Sequence, residues 1–131
     1  MLGAAQVLAL TMCYEAANQG RDGLMGVAST IWNRSEHKSA LELAMICVEN
    51  KQFSCWNSHW PDMSDIIYWQ KDAPSIAVYE QAKEIAVSMI YGTFRPTIDA
   101  THYHRYDAQP AWSNSMVRVT QIKDHVFFKE G

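Results

Sequence analysis

LGAAQVLALTMCYEAA, residues 2–17, is the stretch whose reading decides the fold. It is continuously apolar until Tyr14 and Glu15, and it reads as a helix ended by Asn18-Gln19-Gly20. It is too short, and too polar at its end, to span a bilayer. It also lacks the positively charged start of a signal peptide. The expectation is therefore a core helix of a folded domain, with no export signal of its own. Leu8, Met12 and Glu15 share one face of that helix. A carboxylate on a buried face is costly unless it is paired or protonated. A helix C-terminus also disfavours its ionisation. Both effects raise a carboxyl pKa, as a general acid working near neutral pH requires. The alternative is a Glu15 that turns outward or meets Arg21 or Arg34.

The 131 residues fit a single domain, 1–131, with a sizeable core, and 48% of them are hydrophobic. The net charge is −3 and Lys and Arg are scattered, so neither nucleic acid nor a membrane surface is an expected partner. Cys13, Cys47 and Cys55 are too few for a disulfide scaffold. Three buried thiols are expected, with a Cys47–Cys55 bridge open in an oxidising compartment.

Beyond Gly20, Asp22 can cap a second helix from Gly23 to about Arg34, with Leu24, Val27, Ala28, Ile31 and Trp32 in register. Gly23 and Gly26 weaken that helix, which points to close packing on a neighbour. Ser39 and Glu42 form a capping-box pattern for a third helix. Asn50 to Trp56 reads as an irregular link, and residues 57–73 as a long surface loop or short helix. Pro74 opens the longest helix, to about Tyr91, and Gly92 ends it. Residues 101–106 and 116–122 alternate and are β-prone. The fold class expected is α+β, mostly α-helical, with a small β-hairpin element.

Phe53, Trp56, Trp60, Trp69, Tyr103, Tyr106 and Trp112 fall outside the helices. Loop aromatics suit a groove for sugar rings, although tethering of loops accounts for at least half of them. His102 and His104 point to one side of a strand and, with His125, Asp99 or Asp107, could hold a metal. No HExxH or CxxC pattern supports one, and a hydrogen-bonding role is preferred, so no metal and no cofactor is expected. A GxSxG elbow and a phosphate-binding loop are both absent.

The run CYEAANQGRDGLMGVASTIWNR, residues 13–34, resembles the signature of the SleB-type cell-wall hydrolases, the spore cortex-lytic enzymes and related phage lysins. Its marks are Glu15, Gly23 eight residues later, and Asn33-Arg34. The resemblance continues in Gln52-Phe53-Ser54, in Thr101-His102-Tyr103-His104, in Trp112 and in Ile122-x-x-His125-Val126-Phe127. It covers nearly the whole chain apart from residues 57–73, which look like an insertion. The resemblance implies a lysozyme-like, transglycosylase-type domain that cuts the β-1,4 bond between N-acetylmuramic acid and N-acetylglucosamine in peptidoglycan. It places the catalytic acid on Glu15 and substrate binding on Phe53, Ser54, His102, Tyr103, His104 and Trp112. The family's second acid falls on Gln19, which cannot transfer protons, so the departure suggests either that this acid is dispensable or that Gln19 binds substrate through its amide.

Cleavage can then take either of two courses. A second carboxylate, from Asp99 or Asp107, would give a muramidase. Attack by the muramic acid C6 hydroxyl would give the 1,6-anhydro product of a lytic transglycosylase, the course that the resemblance favours. Two other functions compete: a metal-dependent wall amidase or peptidase built on His102, His104 and His125, and a non-catalytic glycan-binding module. The expected setting is that of a monomeric phage endolysin, made in the host cytoplasm and released to the wall by a partner pore. Residues 57–73 are expected to border the cleft, with Trp60 or Trp69 near a saccharide subsite.

Overall fold

Helix α1, Ala4–Ala16, is surrounded on every side, because its sequence offers no polar face to water. Leu8, Ala9, Leu10, Thr11 and Met12 are all fully buried there. The computed structural model describes residues 2–49 and 53–131. Helices α2 (Gly20–Arg34), α3 (Ala40–Glu49) and α5 (Ala73–Ile90) pack around α1. A short helix, α4 (Met63–Tyr68), precedes α5. Strands β1 (His102–Arg105), β2 (Val117–Ile122) and β3 (His125–Lys129) form an antiparallel sheet in the order β1-β3-β2. The molecule is thus mostly helical with a small sheet, the α+β class expected of a lysozyme-like cell-wall hydrolase. The sheet exceeds the expected hairpin by one strand, because β1 pairs with β3 across the long connection. Among the described residues no helix is long and apolar enough to cross a membrane.

The junction of α1 and α2 is tighter than the sequence suggested. A single 3-10 turn, Ala17–Gln19, separates them, and Gly20 turns the chain at φ 72°, a region that favours glycine. Helix α2 therefore begins at Gly20, and Asp22 sits in its first turn, complementing the helix dipole rather than capping. Gly26 is explained by its neighbours. A Cβ there would lie 2.7 Å from Phe127 Cζ and 3.2 Å from Ile122 Cδ1, so only glycine lets the hairpin seat on α2. Ser39 Oγ accepts from the Glu42 N–H at 3.1 Å, half of the expected capping box. The Glu42 carboxylate instead accepts from the His37 and Lys38 N–H groups and from Ser35, and these bonds hold its pKa down to about 2.

Asp72 caps α5, with Pro74 in its first turn, and Gly92 follows its end at φ 76°. Residues 57–73 gain order from an Asp62–Asp65 capping box on α4. The buried Asp65 carboxylate accepts from the Tyr14 hydroxyl at 2.8 Å and meets His59 Nε2 at 3.2 Å. Cys13 and Cys47 are buried and Cys55 half-buried, all as free thiols, so Cys55 departs from the expected full burial.

Candidate active site

Glu15 emerges one residue before the end of α1, half-buried, where the helix meets the sheet. It lines a cleft of about 1060 Å³. The 3-10 turn after α1 adds Asn18, and the end of α2 adds Arg34. All four residues of β1, Ser54, and the segment Ala108 to Trp112 supply most of the remaining lining.

Three tethers build this arrangement. Trp56 Nε1 donates to Thr11 Oγ1 at 2.8 Å, one helical turn before Glu15, which draws Ser54 and Cys55 alongside the carboxyl. Asn33 Nδ2 donates to the carbonyls of Ile98 (2.9 Å) and Ala100 (2.8 Å), fixing the approach to β1. Register then decides which side chains face inward. Tyr103 pairs with Phe127 and Arg105 with His125, so these four share one face of the sheet. The Tyr103 ring packs on His125 (4.8 Å) and Phe127 (5.4 Å), and its hydroxyl donates to Glu15 Oε1.

Burial pushes the Glu15 pKa up, and the contacts from Tyr103 and Cys55, which favour the ionised form, offset this only in part. The same burial and the adjacent Glu15 carry the Tyr103 hydroxyl far above its ordinary value, so it acts as a donor. No guanidinium is among the groups that set the Glu15 titration, although Arg34 lines the same cleft. Arg34 Nη2 instead donates to His102 Nε2 at 3.0 Å, and His102 Nδ1 faces Thr101 Oγ1 at 3.0 Å. Burial and the Arg34 charge lower the His102 pKa, in keeping with a neutral acceptor ring. On the opposite side of β1 from Tyr103, the Trp112 ring lies 5.2 Å from His102, 5.7 Å from His104 and 5.6 Å from Phe128, forming an aromatic wall.

Of the eight site residues read from the sequence, Glu15, Ser54, His102, Tyr103, His104 and Trp112 line the cleft. Gln19 and Phe53 do not. Gln19 is 2% exposed, and its amide is held by Asp124 of the β2–β3 turn. Phe53 is fully buried and packs edge-on against Tyr103, so it supports the site from behind. Gln52, part of the same motif, lies outside the described residues. No residue of 57–73 lines the cleft either. Trp60, 64% exposed, borders a separate apolar groove between α1 and α3, and Trp69 is buried against Tyr14. Stacking of Tyr14 on Tyr68 and its edge-on contact with Trp69 direct this segment's aromatics to tethering. The cleft residues missed from sequence are Tyr14, Asn18, Arg34, Arg105, Ala108, Gln109 and Pro110, and His125 was read only as a metal ligand. Tyr14 and Asn18 flank Glu15 on the same helix end, and that spacing was the available signal.

The two candidate second acids stand apart. Asp99 pairs with Lys129 at 2.8 Å and Asp107 with Arg105 at 3.1 Å, both exposed and both outside the cleft lining. Among the described residues, Glu15 is the one carboxylate in the lining. The three-histidine metal site is not assembled. His102 and His104 lie on one face of the sheet and His125 on the other, and among the described residues no three His, Cys, Asp or Glu converge as ligands would.

No curated protein and no solved structure matches the chain. A family model described as cell wall hydrolase matches residues 18–128. The matched span holds the cleft walls from Asn18 to Trp112 and begins just past Glu15, so the role of Glu15 is argued from its place in the cleft. By that match the chain belongs to the cell wall hydrolase family, whose members break down peptidoglycan.

Proposed function

We propose that the protein cuts the glycan strands of peptidoglycan at the bond between N-acetylmuramic acid and N-acetylglucosamine, with Glu15 as both acid and base. The observation that carries this reading is a half-buried carboxyl, raised in pKa and, among the described residues, alone of its kind in a cleft with an aromatic wall. A protonated Glu15 donates to the glycosidic oxygen as the bond to C1 breaks. The resulting carboxylate then takes the proton of the C6 hydroxyl as that oxygen bonds to C1, closing a 1,6-anhydro ring. Glu15 returns to its protonated state, and no water is consumed. A hydrolytic course by the usual paired-carboxylate route needs a second carboxylate about 5–9.5 Å away to activate water or form the glycosyl intermediate. Asp99 and Asp107 are engaged elsewhere.

Tyr103 donates to one Glu15 oxygen and so aims the carboxyl within the cleft. Arg34 brings a guanidinium to the cleft lining, which suits a substrate bearing carboxylates on its peptide stems. The test is Glu15→Gln on purified sacculi: release of new sugar ends falls by several orders of magnitude while the fold is kept. Undiminished release by the folded variant would remove Glu15 from the mechanism. A glycan-binding module would bind the same sacculi and release nothing even with Glu15 intact.

A further inference from the structure

The buried amide of Gln19 has a consequence for the cleft. The Asp124 backbone N–H lies 2.8 Å from one Gln19 amide atom. That N–H can only donate, so the Gln19 atom is its oxygen. The Gln19 nitrogen then has two hydrogens to place. It meets Asp124 Oδ2 at 3.1 Å and the Asn18 side chain at 2.8 Å. The Asn18 atom facing this donor must in turn be an oxygen. The Asn18 Nδ2 group is therefore left with its hydrogens outward, and among the described residues nothing accepts from it. Asn18 is exposed, lines the cleft, and follows Glu15 by three residues, so it stands about one turn along from the general acid.

We infer that Asn18 is a substrate-recognition residue that donates a hydrogen bond to an amide carbonyl of the wall glycan, and that Gln19 is the positioning residue that fixes its orientation. This rests on the glycan-cleavage reading of the same cleft. A donor locked in one direction favours a fixed acceptor over a hydroxyl, which can point either way. The wall glycan offers two such carbonyls beside each scissile bond, the 2-acetamido group of a sugar and the lactyl amide that carries the stem peptide. A carboxylate at position 19 would face Asp124 at 3.1 Å and lose the donor that turns Asn18, so this chain's departure from a second acid is matched to its own hairpin turn.

Binding in the Glu15→Gln background tests this without relying on turnover. Half-saturation is measured on native sacculi, on chemically de-N-acetylated sacculi, and on N-acetylated strands stripped of the whole lactyl-peptide side chain, as chitin strands are. Asn18→Ala is expected to weaken binding to native sacculi roughly two- to tenfold, as one neutral hydrogen bond allows. That loss disappears on de-N-acetylated material if the acetamido group is the acceptor, or on stripped strands if the lactyl amide is. Gln19→Glu weakens native binding in the same direction, with the same dependence on the modified material. An Asn18→Ala variant that binds native sacculi as well as its parent, or whose deficit persists on both modified materials, overturns the inference. Failure of the cleavage reading looks different: protein with Glu15 intact then releases no sugar ends from native sacculi, whatever Asn18 does to binding.

Discussion

Tyr103→Phe removes a single hydroxyl from the floor of the site and leaves the ring that packs on His125 and Phe127. That hydroxyl donates to Glu15 and favours its ionised form, against the larger effect of burial. A hydrogen bond to a charged group contributes about 1.5–3 kcal/mol. Its loss raises the Glu15 pKa further, in the direction that burial already drives it. Glu15 must hold a proton to start the reaction, so activity fails on the alkaline side as Glu15 ionises. The variant's alkaline limb should therefore move to higher pH, while its plateau falls because the carboxyl is less well aimed. The assay is a pH–rate profile for release of soluble glycan fragments, with folding checked by circular dichroism at each pH. A limb that stays in place, or moves toward acid, would refute the argument that Tyr103 tunes Glu15.

Three further outcomes follow from the same contacts. Burial raises the Glu15 pKa above the unfolded carboxyl's 4.5, so the native state binds the proton more tightly and stability falls as pH rises between those two values. Glu15→Gln should accordingly melt higher than wild type at neutral pH and alike near about pH 3, and equal melting at both would count against a raised Glu15. Gly26→Ala forces a Cβ to within 2.7 Å of the Phe127 ring and should lower stability by about 1–3 kcal/mol in denaturant titration. A neutral effect would mean that the hairpin is free to shift away from α2. Trp112→Ala should raise the half-saturating substrate concentration several-fold and Trp60→Ala should leave it unchanged, because only Trp112 lines the cleft. The reverse order would relocate the binding groove to the face between α1 and α3.

Helix α1 was legible because residues 2–17 carry no polar face, and Glu15 stood out as the one acid within it. Helix α5 and its limits could be read from Pro74 and Gly92, whose backbone preferences act locally. The packing role of Gly26 was legible as a cost, but its partner Phe127 lies a hundred residues away and is visible only in the fold. Gln19 was misread for the same reason. Its partner Asp124 approaches through the β2–β3 turn, and no local pattern announces that contact. The aromatics of 57–73 were placed at the cleft because they lie outside the regular helices. Asp65 and Tyr14 draw that segment onto the outer side of α1, where Trp69 is buried and Trp60 is left exposed. Separation of His125 from His102 and His104 depended on the register of β1 with β3, which pairs segments twenty residues apart.

In this mechanism one carboxyl serves as acid and then base. Digestion of purified peptidoglycan in heavy-oxygen water, followed by mass spectrometry of the fragments, tests it most directly. The expected products are 1,6-anhydro ends that carry no solvent oxygen and vanish with Glu15→Gln. Reducing ends that have gained one heavy oxygen would contradict the mechanism.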